Sequence, residues 1–249
     1  MVSSESLVLI AAVFLLAGWV KGIVGMGLPT VVMGALALAM PPAEAAALLI
    51  VPSLATNLRQ FLAGPSPWKL ARRMASLLLF ICIGTALGIP LLTASATHWP
   101  ALALGAVLAV YALIGLFARP FVLPPDAARR WAPAVGGLTG VLTGATGVFV
   151  VPAVPYLSAL GLSRDELVQA LGISFTVSTI ALGVALGVRT SYSPTLLALS
   201  VGAVLPALLG MALGQATRSR IAQAVFRRWF FTAMLAVGLT MLARGLLAM

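Results

Sequence analysis

The stretch GWVKGIVGMGLPT, residues 18–30, breaks an otherwise apolar run with a lysine and four glycines and closes on Pro-Thr. Both features are out of place in an ordinary membrane helix. A glycine costs about 1 kcal/mol against alanine in a helix interior. A charged side chain at membrane depth costs roughly 3 kcal/mol even on the lenient insertion scales. What Lys21 and the glycines do at this depth decides how the chain folds.

The surroundings make the question a membrane one. The chain has 249 residues, 61% of them hydrophobic and only 8% charged, with a mean hydropathy of +1.13. A soluble domain carries about 25% charged residues, so most of this chain has no water-facing surface to decorate. A spanning helix needs ~20 mostly apolar residues, and such stretches recur from Leu7 to Leu247. Transmembrane barrels read as short alternating segments and are excluded. The net charge of +10 does not signal nucleic acid. The basic residues sit in short connections between apolar runs, as the positive-inside rule requires. The opening MVSSESLVLI has no basic n-region and no cleavage site, so no removable signal peptide is expected. One cysteine, Cys82, and one histidine, His98, give no basis for a disulfide, a metal or haem site, or any other cofactor; Cys82 reads as a small packing residue.

The apolar segments are 7–40 (A), 44–63 (B), 70–93 (C) and 98–118 (D). After the polar connection ARPFVLPPDAARR come 131–160 (A′), 165–187 (B′), 194–217 (C′) and 221–247 (D′). Trp68, Trp99, Trp131 and Trp229 fall at segment edges, as an interfacial aromatic belt does. The two halves read as repeats, about 7–118 and 131–247, joined by 119–130 within one transmembrane domain. GWVKGIVGMGLPT resembles GGLTGVLTGATGVFVVP (136–152), and AMPPAEAAALLIVPSLATN (39–57) resembles GLSRDELVQALGISFTVST (161–179). Gly22 pairs with Gly140 and Glu44 with Glu166.

Charge placement gives the orientation. Arg59, Lys69, Arg72 and Arg73 lie around the B–C connection, whereas C–D has no Lys or Arg. In the second half B′–C′ has only Arg189, and C′–D′ has Arg218, Arg220, Arg227 and Arg228. Equivalent loops then lie on opposite sides of the membrane, the mark of inverted repeats. The D–A′ connection (Arg119, Arg129, Arg130) and C′–D′ share a side, so A′ crosses an even number of times. Residues 7–20 and 28–40 are each too short to span ~30 Å. A and A′ are therefore read as re-entrant hairpins of two half-helices with tips at the glycines; kinked spans with one basic loop breaking the charge rule are the alternative. The expected fold is all-α: a polytopic integral membrane protein of two inverted repeats, each a broken or re-entrant hairpin plus about three spanning helices.

Irregular backbone at membrane depth is tolerated only where protein buries it or a wet cavity receives it. Glycine-rich breaks at matching places in two halves point to a transporter site. Half-helices starting near Leu28 and Val148 would present unpaired N–H groups and the positive end of the helix dipole to an anion. Gly25, Gly27, Gly144 and Gly147 suit close backbone approach, and Thr30, Thr143 and Thr146 add hydroxyls. Gly18 and Gly22, like Gly136 and Gly140, fit small-xxx-small helix packing. Lys21 is too deep to snorkel, and no intramembrane carboxylate is available to it, since Glu44 and Glu166 read as caps at helix starts. In B, Ser53, Thr56/Asn57 and Gln60 recur at helical spacing, with Arg59 one step round. In B′, Ser174 and Ser178 are i, i+4, flanked by Thr176 and Thr179; such hydroxyls also serve helix packing. Trp19 either walls the pocket or packs. The substrate-binding candidates are thus Lys21, Gly25, Gly27, Thr30, Ser53, Asn57, Thr143, Thr146, Ser174 and Ser178, with Trp19, Arg59, Gln60 and Thr176 in a second rank. No nucleophile elbow, zinc-protease motif or Walker motif is present, so an enzyme is not expected.

The two copies resemble the repeats of the sulfite exporter TauE/SafE family, over essentially the whole chain. The usual opening, G-x-x-x-G-L-x-G-x-G-G-G, is matched in part by Gly18, Gly22, Gly25 and Gly27 and by Gly136, Gly140 and Gly147; Leu28-Pro29-Thr30, Thr143, Ala145 and Thr146 depart from it. The resemblance implies a multi-pass transporter of the bacterial inner membrane. It would move sulfite, sulfoacetate or a related organosulfonate outward, with a small anion and the lipid bilayer as its partners. A passive anion channel and a non-transporting assembly or signalling partner are the other readings, and association into homo-oligomers stays open.

Overall fold

The computed structural model describes residues 4–64, 67–94, 99–119, 121–190 and 192–247. His98 lies outside them, as does most of the C–D connection. Twelve helices are seen among the described residues: α1 Ser4–Val24, α2 Leu28–Leu36, α3 Pro42–Leu62, α4 Pro67–Arg73, α5 Ala75–Leu92, α6 Trp99–Phe117, α7 Pro125–Thr146, α8 Ala153–Ser158, α9 Arg164–Arg189, α10 Pro194–Gly202, α11 Val204–Thr217 and α12 Gln223–Leu247. No strand accompanies them. Among the described residues, seven helical stretches are long and apolar enough to cross a membrane: α1, α3, α5, α6, α9, α10 together with α11, and α12. Large apolar side chains such as Leu87, Val188, Leu205 and Leu247 stand exposed on the outside, which suits lipid and not water. The chain is a polytopic membrane protein. Trp68, Trp99, Trp131 and Trp229 are all exposed near helix starts. Cys82 is exposed on α5 and is not the buried packing residue expected.

The segment A hairpin has unequal arms. Its first arm runs unbroken through Gly18, Lys21 and Gly22 to Val24. At 21 residues it is about 31 Å long, not the half-helix 7–20. Two internal glycines do not break it because α11 covers them. The break comes at Gly25 (φ 85°) and Gly27 (φ 107°), both in the left-handed region that favours glycine. Gly27 caps α2, and Pro29 follows in its first turn, where a proline is pre-organised. The chain then turns back. Lys21 lies beside Thr56 and Asn57, and Gly25 beside Gln60, so α1 and α3 run the same way and α2 with residues 37–41 must make the return.

Segment A′ departs further from expectation. α7 begins at Pro125, inside the stretch read as a connection. It ends at Thr146 with Gly147 (φ 73°) as a left-handed cap whose N–H donates to the Thr143 carbonyl at 2.8 Å, a common helix stop. No half-helix starts at Val148. The run Val148-Phe149-Val150-Val151 is β-branched and aromatic and ends in Pro152. These are poor helix formers followed by a residue that restricts its predecessor, and α8 begins only at Ala153.

The long helices pair across the halves. α1 packs along α11, where a Cβ on Gly18 would lie 2.1 Å from the Ala207 carbonyl oxygen, and one on Gly22 would lie 2.3 Å from that of Met211 and 2.8 Å from the Gln215 nitrogen. α7 packs along α5 in the same manner. A Cβ on Gly136 would lie 2.3 Å from the Leu77 oxygen, and one on Gly140 would lie 2.2 Å from the Ile81 oxygen and 2.7 Å from the Thr85 nitrogen. Both pairs are parallel. The glycines correspond at a spacing of 118 (22 to 140, 18 to 136), and their partners at 130 (81 to 211, 85 to 215, 77 to 207). α3 and α9 are antiparallel, with Gly172 against Gln60 and Gly183 against Ile50. α6 and α12 are antiparallel too, with Gly245 against Leu102 and Gly115 against Phe231. Two halves of opposite orientation, related by a two-fold axis in the membrane plane, would give this pattern.

α3 carries Pro52 in its interior. A proline lacks the N–H that would serve the carbonyl four residues earlier, here that of Leu48. Ser200 of α10 fills the gap: its hydroxyl donates to Leu48 O at 2.9 Å and accepts from Val51 N–H at 3.3 Å. Removing it leaves a buried carbonyl without a partner, which costs about 1–3 kcal/mol. Ser200→Ala is expected to lower the thermal unfolding temperature in detergent by a matching amount; an unchanged temperature would mean that the carbonyl finds another donor.

Candidate functional site

Lys21 is the deepest charge among the described residues. It stands one turn before the end of α1 and is 1% exposed. The helix must carry it inward, because the glycines on either side bring α1 against α11 and leave the lysine on the face toward α3. Its ammonium donates to Thr56 Oγ1 at 3.0 Å and to Asn57 Oδ1. Both acceptors are neutral, and no acidic group among the described residues offsets the charge. Burying an ammonium costs several kcal/mol unless a counter-charge repays it.

The polar core extends from there. Asn57 Nδ2 donates to Ser53 Oγ and to Thr179 Oγ1, each at 3.2 Å, and the Thr179 and Ser53 hydroxyls lie 3.4 Å apart. The cluster therefore lies where antiparallel α3 and α9 cross. Gln60 Nε2 donates to the Gly25 carbonyl at 2.7 Å and ties the hairpin tip to α3. Its Oε1 is buried and unpartnered, as are the hydroxyls of Thr139, Ser174 and Ser178.

The remaining candidates divide. Gly25 and Gly27 form the tip. Thr30 lies in the first turn of α2, but its hydroxyl donates to Gly27 O at 2.8 Å. Pro29 has no N–H, so the donors of that turn without an intrahelical acceptor are the N–H groups of Leu28 and Thr30. Thr143 and Thr146 donate to carbonyls of their own helix, Thr139 O at 2.7 Å and Leu142 O at 2.6 Å, and Thr146 also accepts from Val148 N–H at 3.2 Å. Thr176 likewise donates to Gly172 O. Arg59 is exposed and reaches Gln215 Oε1 at 3.4 Å, away from the cluster. Trp19 Nε1 donates to Thr217 Oγ1 at 3.2 Å and its ring meets Phe226 edge-on, so it packs α1 against α11 and α12. Gly144 is a packing residue, since a Cβ there would lie 2.3 Å from Thr85 O. Glu166 completes a capping box with Ser163, which accounts for it structurally.

Four buried polar residues, Thr85, Thr139, Gln169 and Ser200, were not singled out from the sequence. Gln169 is buried and its Nε2 donates at 3.0 Å to Phe61 O, one of the carbonyls a helix end leaves unpaired; the only signal was an amide one turn inside an apolar segment. Thr139 was visible solely as the residue aligned with Lys21. The family model for sulfite exporter TauE/SafE matches residues 10–241. The chain belongs to the sulfite exporter TauE/SafE family. No curated protein and no solved structure matches it. A TauE/SafE protein is a membrane transporter, and in this one the matched region takes in both glycine breaks, the α3–α9 crossing and every residue of the polar core.

Proposed function

We propose that this protein is a secondary transporter, working as an exporter, that carries a small sulfur oxyanion or C2 organosulfonate such as sulfite or sulfoacetate across the bacterial inner membrane. The single observation behind this reading is Lys21: a fully enclosed ammonium, held by two neutral acceptors, one turn before the tip of a broken hairpin. Such a charge is retained at a folding cost when it has a ligand to meet. In the bound state Lys21 supplies the charge, and Asn57 and Ser53 supply neutral hydrogen bonds. The Leu28 and Thr30 N–H groups add the positive end of the α2 dipole. Two inverted halves rocking about the α3–α9 crossing give alternating access. An inside-negative potential favours the outward movement of an anion, so no ATP site is needed.

The enclosure of Lys21 favours a carrier over an open channel. The test is flux with purified protein in liposomes. Sulfite and sulfoacetate are expected to show saturable counterflow, in which unlabelled anion on one side accelerates labelled anion from the other. Flux that rises linearly with concentration and shows no counterflow would establish a channel, and no flux of any sulfur anion would remove the transport reading.

A further inference from the structure

The described buried threonines share a habit. Thr30, Thr56, Thr85, Thr143, Thr146, Thr176 and Thr179 each donate to a carbonyl three or four residues back on their own helix. This is the cheapest way to satisfy a hydroxyl in an apolar helix. Thr139 is the exception: it is fully buried and its hydroxyl has no partner. The two buried serine hydroxyls without a partner, Ser174 and Ser178, lie one turn apart on α9.

These orphans are not scattered. α3 begins at Pro42 and α9 at Arg164, 122 positions apart, the spacing also of Asn57 and Thr179, which bond to each other across the crossing. α1 and α7 correspond at 118 through their glycine contacts. With these registers Thr139 stands where Lys21 does, Ser178 where Thr56 does, and Thr179 where Asn57 does. In the first half the position is filled by an ammonium that reaches Thr56 and Asn57. In the second half the same position carries a short buried hydroxyl with its hydrogen-bonding capacity unused. Leaving a buried polar group unpaired costs about 1–3 kcal/mol. Three such groups on α7 and α9, the helices that answer α1 and α3 in register, mark a place where a ligand supplies the missing bonds.

We infer that Thr139, Ser174 and Ser178 form a neutral subsite facing the charged one at Lys21, so that the preferred substrate is a monoanion whose far end carries a neutral hydrogen-bonding group such as a hydroxyl. This rests on the transport reading above and narrows it. A second negative charge at the far end, as in a sulfonate-carboxylate, meets hydroxyls in place of an ammonium and is disfavoured. An alkyl end leaves the hydroxyls unpaired and is disfavoured as well, since sites built to hydrogen-bond a hydroxyl discriminate strongly against analogues that lack it.

The test compares isethionate (2-hydroxyethanesulfonate), ethanesulfonate and sulfoacetate in the reconstituted full-length protein, with sulfite as the common reference. Wild type is expected to take isethionate with a half-saturation concentration on the order of tenfold below that of ethanesulfonate, one neutral hydrogen bond's worth. In Thr139→Val with Ser178→Ala that ratio falls to near one. Thr139→Lys, which repeats the first half's charge, shifts preference toward sulfoacetate. Equal handling of isethionate and ethanesulfonate by wild type, with sulfite transported, overturns the subsite alone and needs no variant to fold. Absence of sulfite and sulfonate flux from wild type overturns the transport reading and the subsite with it.

Discussion

Lys21→Met is expected to abolish sulfite transport while leaving the protein folded and about as stable as wild type. Methionine matches the length of the lysine stem and is apolar. The variant loses the desolvation cost of an ammonium enclosed among neutral groups, a term of several kcal/mol. Against this, Asn57 Oδ1 loses its donor, which costs about 1–3 kcal/mol. Thr56 keeps its bonds to the carbonyls of Pro52 and Ser53, and Asn57 Nδ2 keeps Ser53 and Thr179. The two terms are of similar size and opposite sign, so thermal unfolding shifts little or upward. Transport has no such compensation. Truncating one side of a buried charge pair costs about 2–5 kcal/mol, and each 1.4 kcal/mol is tenfold, so the counterflow rate at fixed subsaturating sulfite should fall by at least on the order of thirtyfold. A structural lysine would give the opposite result, with stability lost and the remaining folded protein still active. Wild-type flux from Lys21→Met would remove the charge from the mechanism.

Much of this candidate site's geometry was legible in the sequence for one reason: charge and glycine are expensive in lipid, so each instance carries information. Lys21 stood out because nothing nearby could pair with it, and its observed partners are neutral. Gly18, Gly22, Gly136 and Gly140 were readable from their four-residue spacing. The length of α1 was not, because a helix tolerates internal glycines when a second backbone covers them, and that cover comes from α11, nearly two hundred residues away. The missing half-helix at Val148 was a failure of symmetry reasoning: the register is repeated, but the local sequence there is β-branched and ends in proline. Hydroxyls were the least legible. Thr143, Thr146 and Thr176 looked the same as Thr139 in sequence, yet the first three satisfy themselves on their own helix. Only the hydrogen-bond geometry separates them.

Gly140→Ala is expected to unfold or disperse the protein, whereas Gly137→Ala, three residues earlier on the same helix, is expected to be neutral to about 1 kcal/mol stabilising. Both replace a helical glycine, so the propensity gain is the same, up to roughly 1 kcal/mol. What differs is the space. A Cβ at Gly137 would have Phe80 Cδ1 as its nearest neighbour at 4.0 Å, whereas at Gly140 it would meet Ile81 O at 2.2 Å, Thr85 N at 2.7 Å and Gly84 Cα at 2.9 Å. These are backbone atoms of α5 and have no rotamer to change, so α5 and α7 must separate along their length. Overpacking costs typically 1–3 kcal/mol, and a contact made wholly by backbone belongs at or above the upper end, about 3 kcal/mol. Helix association in lipid has no hydrophobic term in reserve and depends on such close packing. Gly22→Ala should reproduce the loss, since a Cβ there would lie 2.3 Å from Met211 O and 2.8 Å from both Gln215 N and Gly214 Cα. Gly22 also follows Lys21 directly, so any separation of α1 from α11 moves the ammonium relative to Asn57. The measurement is the monodisperse fraction and unfolding temperature of the three variants in one detergent. Equal behaviour of Gly140→Ala and Gly137→Ala would show that the α5–α7 contact is looser than drawn, and unequal behaviour of Gly22→Ala and Gly140→Ala would show that the two halves do not share one packing.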